Sequence, residues 1–514
     1  MNTSIDWPNR VLASVALGLL CLQVALPWTA HLFITQDGPS HVYGSVVTWD
    51  LLTHPHSKYE TVYRLQHELI PNSATTLILR AFVALAGTAH AEQLLVSFVF
   101  VFHFFAFAYV FRQGCHWSPL ANALIQTYFL TRGYYNFQLG MSACLVLISY
   151  GITQIENRTQ RGTIVLTLGS AALYLTSLLP LLIAVITLVA IVCWTSRFNM
   201  RKLLWLLAAL SPGILLTLLY AALSFPMRIP ASSGFNWRLF PAYLFQMSAG
   251  MSGIAGWVYA ALGLSFAMAL CFMTAARWKG VRGGLAIAAL LLALLAVVGP
   301  DQGFGGGEVK LRLIWAAFLF AGVLISNVPL PRFLWIAINA GSAALVIFGL
   351  LQARDFNNRA NVLAETYLSA LDQIPRGSTL VRLEYPMQTG IPTDLLFIPL
   401  LHTDSYAAAG SQSIVLSDYE AGSRAFPEGF QPIFTDSQQW LLQLVEAAYV
   451  IPPRDIAQLV RTLPVPVDYY VVLGEDSTIP GARSQMPDAI SILEASGKKR
   501  VISVGSPVLV RVYH

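Results

Sequence analysis

The sequence predicts an α-helical polytopic membrane protein of about 11 transmembrane helices, carrying a C-terminal extracytoplasmic α/β domain. Three observations lead to this class: the composition, the spacing of long apolar runs, and a change of character near residue 352. Of 514 residues, 56% are hydrophobic and 11% charged, whereas soluble chains carry roughly 25% charged residues. The net charge of +5 is modest. No basic run interleaves with aromatics, so nucleic acid is excluded as a partner. Cys21, Cys115, Cys144, Cys193 and Cys271 fall in or beside apolar runs and none follows Cys271, which argues against a disulfide framework or a cysteine metal site.

Runs long enough to cross, or nearly cross, a hydrocarbon core of roughly 30 Å fall at about 11–34, 93–111, 118–133, 137–155, 163–178, 180–195, 203–225, 250–275, 284–299, 311–328 and 331–352. The first is too long for a signal-peptide core and reads as an uncleaved span. The stretch 163–195 is too long for one span, and Leu179-Pro180 at its middle divides it into two short helices.

Charge sets the expected orientation. With the N-terminus cytoplasmic, the inner connections hold Arg10; Arg112; Arg158 and Arg161; Arg197, Arg201 and Lys202; Arg277, Lys279 and Arg282; and Arg332. Every inner connection then carries at least one Lys or Arg, as the positive-inside rule requires. The outer segments become 35–92, 132–136, 226–249, 300–310 and everything after about 353. This is the orientation of a multi-pass protein of a bacterial inner (plasma) membrane with its C-terminal domain in the periplasm. The first outer loop is too long for a simple connection, and its apolar piece Thr75–Ala86 is expected to lie along the interface.

Two domains follow: 1–352, transmembrane and including the loop 35–92, and 353–514. In the second, Asp355–Leu371 has helical spacing. Short β-rich runs then alternate with helical ones: Ser378–Glu384, Ser413–Leu416, Asp468–Leu473, Arg500–Val504 and Val508–Val512. That alternation predicts a small α/β domain with a partly parallel sheet, large enough for its own core and without cysteines to cross-link. Gly303-Phe304-Gly305-Gly306-Gly307 follows no strand, so it makes a weak nucleotide loop.

The residues with chemistry cluster at the outer ends of spans. Asp37-Gly38-Pro39-Ser40-His41 follows the first span. Asp37 is either the N-cap of a helix starting at Pro39 or a catalytic carboxylate, and His41 would share its side of that helix. Asp301, Glu308, Lys310 and Arg312 sit between two almost uncharged spans, and charge at a membrane mouth is a functional signal. Lys310 also suits snorkelling to headgroups, and Glu308 suits pairing with either base. His54, His56 and His67 suit interfacial roles better than a metal site. Arg228, Trp237, Arg238 and Phe240 read as an aromatic belt with headgroup contacts.

Asp-Gly-Pro-Ser-His after a first span resembles the acidic first-loop motif of the GT-C superfamily of glycosyltransferases. The likeness extends to Ile70-Pro71-Asn72, to Ala91-Glu92-Gln93-Leu94, and to the stretch Gly133-Tyr134-Tyr135-Asn136-Phe137-Gln138-Leu139-Gly140. The resemblance implies a polyprenyl-phosphate-linked sugar as donor and a lipid, glycan or protein as acceptor, with membrane lipids around both. It implies an inverting displacement with Asp37 as general base and His41 beside it. Arg132, Lys310 and Arg312 would meet the phosphate, and Tyr135, Asn136 and Glu308 would lie at the substrate. Many family members have two adjacent acids in the first loop, whereas Asp37 has no carboxylate neighbour until Asp50. No metal ligand is therefore assigned, and a divalent cation (Mg or Mn) is left open. Two other classes are a transporter or flippase, against which the lack of internal repeats argues, and a non-catalytic membrane scaffold.

Overall fold

The computed structural model describes residues 7–66, 70–110, 118–125, 128–224, 280–300, 307–326, 330–384, 400–423, 425–434, 463–473, 489–505 and 509–514. Arg112, His67, Arg228, Trp237, Arg238, Phe240, Arg277, Lys279, Asp301, most of the glycine run 303–307 and the span expected at 250–275 lie outside the described residues. The chain forms two compact units. One comprises Met1–Leu26, Pro71–Thr75 and Val96–Ala353, the other Pro27–Ile70, Thr76–Leu95 and Arg354–His514. The second unit thus takes in most of the first outer loop, which the sequence reading assigned to the transmembrane domain.

The helices in chain order are α1 Trp7–Ala25, α2 Gly38–Thr53, α3 Ser73–Ala86, α4 Thr88–Val110, α5 Pro119–Ile125, α6 Tyr128–Arg132, α7 Tyr135–Asn157, α8 Gln160–Thr176, α9 Leu178–Thr195, α10 Met200–Ser224, α11 Gly280–Val298, α12 Val309–Ser326 and α13 Arg332–Leu371. Among the described residues, eight helices are long and apolar enough to span a membrane. The chain is a multi-pass membrane protein. The stretch 163–195 forms two helices, broken at Ser177 in extended conformation, two residues before the expected point. Pro180 then falls in the first turn of α9, where its missing N–H costs no helical bond. Within the run 118–133, α5 and α6 are helical and residues 126 and 127 lie outside the described residues. α3 is a 14-residue apolar helix, shorter than a span.

Helices of the first unit meet at small residues, as membrane helices do where backbones must approach closely. A Cβ at Gly213 would lie 2.6 Å from the Ser170 carbonyl oxygen, and one at Gly284 2.5 Å from Ile191 Cα. α1 and α5 are joined by a reciprocal amide pair: Gln23 Nε2 donates to Asn122 O at 2.9 Å, and Asn122 Nδ2 donates to Gln23 Oε1 at 2.9 Å. Leu19, Ala123, Leu345 and Val346 pack beside it, bringing α13 to the same core.

The second unit contains a five-stranded mixed sheet of order β3-β2-β5-β7-β6. Its strands are β2 Thr379–Glu384, β3 Ile414–Val415, β5 Tyr469–Leu473, β6 Arg500–Val504 and β7 Val510–Tyr513. β3, β2 and β5 are parallel, and β7 pairs antiparallel with both β5 and β6. The buried Tyr470, Val471, Val472 and Leu473 explain why β5 reads as an unbroken apolar run, whereas β2 carries a buried Arg382 that pairs with Asp404 at 3.1 Å. Each of the five β-rich runs of the sequence becomes a strand, and the sheet is parallel in part.

The sequence pattern did not reveal a second, two-stranded sheet. β1 Tyr63–Leu65, from the first outer loop, pairs antiparallel with β4 Glu428–Phe430. Tyr63 and Phe430 are opposed in register and their rings stack at 5.6 Å. Three residues per strand give too little alternation to detect. Buried tyrosines complete the attachment: Tyr43 OH donates to Ser413 O at 3.2 Å and accepts from Val415 N at 3.1 Å, while Tyr63 OH donates to Val415 O.

Candidate functional site

Asp37 is in the N-cap position of α2, yet its side chain makes no capping hydrogen bond. Capping is therefore not what the carboxylate does. Oδ1 accepts from Gln36 Nε2 at 3.1 Å and lies 4.0 Å from His402 Nε2. Pro39 starts the helix in place of a side-chain cap, its fixed φ suited to the first turn. Gly38 is required by space: a Cβ there would collide with the Glu92 carboxylate and Thr35 Oγ1. Thr35 Oγ1 donates to Glu92 at 2.5 Å and accepts from Gly38 N at 3.1 Å.

The segment leading to Asp37 is held by the continuation of α13. Asn361 Oδ1 accepts from Leu32 N at 2.8 Å, Asn361 Nδ2 donates to Leu32 O at 2.7 Å, and Asn357 Oδ1 accepts from Ile34 N at 3.0 Å. Side chains thus replace a backbone ladder along an extended stretch, satisfying buried backbone groups that otherwise carry a penalty.

His41, one turn after Asp37, sits with its Nδ1 against a carboxyl oxygen of Glu420, in the short helix Tyr419–Gly422. Its ring lies 5.6 Å from Phe426 and 6.5 Å from Tyr419, and Tyr419 also stacks on His402 at 4.9 Å. Around this pair sits a group of buried carboxylates. Ser40 Oγ donates to Asp418 Oδ1 at 2.8 Å and Thr48 Oγ1 donates to Glu428 Oε2 at 2.8 Å. Burial pushes Asp418 up to about 8, with the Glu428 charge adding to it. Glu420 is raised well above the usual carboxylate range by burial, then by Glu428, Asp418 and Asp37. Asp418 and Glu420 therefore hold protons that carboxylates in water would release. Among the described residues no cluster of three His, Cys, Asp or Glu side chains has the arrangement of a metal site. His54 pairs with Asp50 at 3.1 Å.

The other site residues of the sequence reading belong to the first unit. Arg132 Nη2 lies 3.3 Å from both Glu308 Oε1 and Tyr134 OH. Arg312 lies over the Tyr134 ring at 4.2 Å and over Phe137 at 5.4 Å. Arg312 is half-buried, and no carboxylate pairs with it among the described residues. The structure thus brings Arg132 and Arg312 together on one ring, with Glu308 paired to Arg132. That ring is Tyr134 rather than Tyr135, which is fully buried as the first residue of α7. Asn136 and Lys310 are also buried. Phe129, Phe137 and Trp315 extend the aromatic surface, with Trp315 centred 5.9 Å from Phe129 and 5.5 Å from Phe137.

Sequence reasoning did not single out His402, Asp418, Tyr419, Glu420 or Glu428, because isolated polar residues in an α/β domain carry no motif. Tyr134 was within a stretch that did.

No protein-family model matches the chain, and no curated protein matches it in sequence. Two solved structures share its fold. The crystal structure of ArnT from Cupriavidus metallidurans bound to undecaprenyl phosphate matches with a TM-score of 0.57 and 11% identity, covering 98% of this chain and 97% of that one. The apo structure of the same protein matches with a TM-score of 0.56, 11% identity and the same coverage. From end to end, the chain has the fold of ArnT.

Proposed function

We propose that the protein is a membrane glycosyltransferase that moves a sugar from a polyprenyl-phosphate-linked donor to a lipid, glycan or protein acceptor. The observation that carries this reading is Arg312, a half-buried guanidinium stacked on Tyr134 with no carboxylate partner among the described residues. A guanidinium in a membrane unit with which no described carboxylate pairs suits an anionic ligand. The planar fork of Arg matches two phosphate oxygens. The fold neighbour ArnT was crystallised with undecaprenyl phosphate, a lipid of this class.

In this reading Asp37 is the general base. The acceptor hydroxyl attacks the anomeric carbon as its proton passes to the Asp37 carboxylate. The bond from the anomeric carbon to the phosphate oxygen breaks, and polyprenyl phosphate leaves with that electron pair. The leaving group is already a stable anion, so no general acid is needed. Its growing charge is met by Arg312 and Arg132, and the configuration inverts. His41, held against Glu420, and His402 are assigned to orienting Asp37, and Lys310, Tyr135, Asn136 and Glu308 are assigned to binding the donor. No step is routed through a metal.

The positive-inside pattern supports a cytoplasmic N-terminus and a periplasmic second unit in a bacterial inner membrane. An alkaline phosphatase fusion at the C-terminus is expected to be active; activity only from a cytoplasmic reporter would reverse this orientation. The activity is tested with purified protein and a radiolabelled polyprenyl-phosphate sugar. Label should move to acceptor or water with stoichiometric release of polyprenyl phosphate. Tight lipid binding with no turnover under any acceptor would refute the enzyme reading.

A further inference from the structure

One end of the helical unit gathers positive charge that nothing in the proposed reaction uses. Arg158 lies in the α7–α8 connection and Arg161 in the first turn of α8, and Arg197 lies in the α9–α10 connection and Arg201 in the first turn of α10. The two connections lie at the same end. Lys202 Nζ reaches Glu156 Oε2 at 2.6 Å, and Trp205 Nε1 donates to Thr163 Oγ1 at 3.1 Å. α11 begins there too, because the close approach of Gly284 to Ile191 sets its first turn beside the end of α9. That turn carries Arg282.

All five arginines are exposed, and none has an acidic partner among the described residues. The chain offers few acids to pair with them: there is no Asp or Glu between Glu156 and Asp301, and Glu156 is taken by Lys202. The connections are also shaped to present charge. Arg158 and Arg197 have positive φ (46° and 49°), as does Phe198 (61°), so each turn is made by residues that are rare there. Trp194, Phe198, Met200 and Leu204 stand exposed around them, Phe198 at 72%. A cationic cluster ringed by exposed aromatic and aliphatic side chains at the end of a helix bundle matches the boundary between headgroups and acyl chains.

We infer that this end of the bundle is a binding site for an anionic phospholipid headgroup, formed by Arg158 and Arg197 from two turns and by Arg161, Arg201 and Arg282 from the first turns of α8, α10 and α11. Clustered arginines favour a headgroup with more than one phosphate, since each guanidinium can take two phosphate oxygens. The N-termini of α8, α10 and α11 lie in the same layer and add their dipoles in the same sense. The site is independent of the proposed transferase activity and of which leaflet this end meets.

The test uses the full-length protein in detergent, titrated with diphosphatidylglycerol, phosphatidylcholine or inorganic phosphate and read by native mass spectrometry. Diphosphatidylglycerol is expected to bind at least tenfold more tightly than phosphatidylcholine and to be released by added salt. The double variants Arg158→Gln/Arg161→Gln and Arg197→Gln/Arg201→Gln should each lose about tenfold or more of that binding, at the usual contribution of a basic residue near an anionic surface. Arg64→Gln/Arg500→Gln removes equal charge elsewhere and should change nothing. Equal binding of the two lipids would overturn the inference, as would unchanged binding in both double variants. Displacement of the lipid by inorganic phosphate at an ionic strength at which sodium chloride leaves it bound would overturn the lipid assignment in favour of a free-phosphate site. Should the variants fail to insert, salt dependence and lipid preference of the unaltered protein still decide it.

Discussion

His402 Nε2 stands 4.0 Å from Asp37 Oδ1, so the carboxylate beyond the first span has an imidazole neighbour contributed by the C-terminal region. The His402 ring is fixed by stacking on Tyr419, which makes it a positioning residue for Asp37. His402→Gln is expected to lower kcat roughly tenfold, at the lower edge of what a misaligned base costs, and to leave donor affinity unchanged. A change in donor Kd with kcat intact would assign His402 to binding instead.

The buried carboxylates make stability depend on pH in an unusual direction. Asp418 and Glu420 have folded pKa values raised above their unfolded ones. The folded state therefore binds more protons between the ordinary carboxylate range and about 8, and stability falls as pH rises through that window. Thermal unfolding should occur several degrees lower near pH 8 than near pH 5. Glu428→Gln removes the charge that adds to burial in raising both groups and should make this slope shallower. A wild-type midpoint that rises with pH over the same window would contradict the assignment.

Asn361 satisfies both the N–H and the C=O of Leu32. Asn361→Ala leaves two buried backbone groups unpaired, at about 1–3 kcal/mol each. Hydrogen exchange should quicken at Leu32 to Asp37, turnover should drop, and exchange in the sheet β2–β5 should hold. Uniformly faster exchange would mean that Asn361 supports the whole unit rather than this segment.

Much of this architecture was legible. The apolar runs gave most helices because twenty apolar residues have one stable state in a membrane. The break near Pro180 and all five strands of the large sheet were readable from proline chemistry and β-rich runs. Asp37, Arg132 and Arg312 stood out because charge at a membrane mouth is rare. The pairing of β1 with β4 was not readable, since it joins three-residue segments far apart in sequence. For the same reason His41 could be flagged but its partner Glu420 could not. Within 118–133, Asn122 is engaged by Gln23 of α1, a pairing between distant residues that no local pattern signals.

Tyr134 supports Arg312 with its ring face and Arg132 with its hydroxyl. Tyr134→Phe keeps the ring and should change polyprenyl-phosphate affinity less than about threefold. Tyr134→Leu removes a contact worth about 0.5–2 kcal/mol and should weaken it about three- to thirtyfold. Arg312→Lys should not restore what Arg312→Ala loses, because an ammonium neither stacks nor binds two oxygens. Calorimetric titration with polyprenyl phosphate checks all four variants. Equal loss in Tyr134→Phe and Tyr134→Leu would shift the role to the hydroxyl.

The central claim is that Asp37 removes a proton from the acceptor while the donor is held elsewhere. The most direct measurement is turnover of a radiolabelled polyprenyl-phosphate sugar by Asp37→Asn, alongside its polyprenyl-phosphate affinity and thermal midpoint. The account predicts a rate lower by about 10²–10⁴-fold, with affinity and folding retained. Turnover at the wild-type rate in a folded Asp37→Asn variant would contradict it.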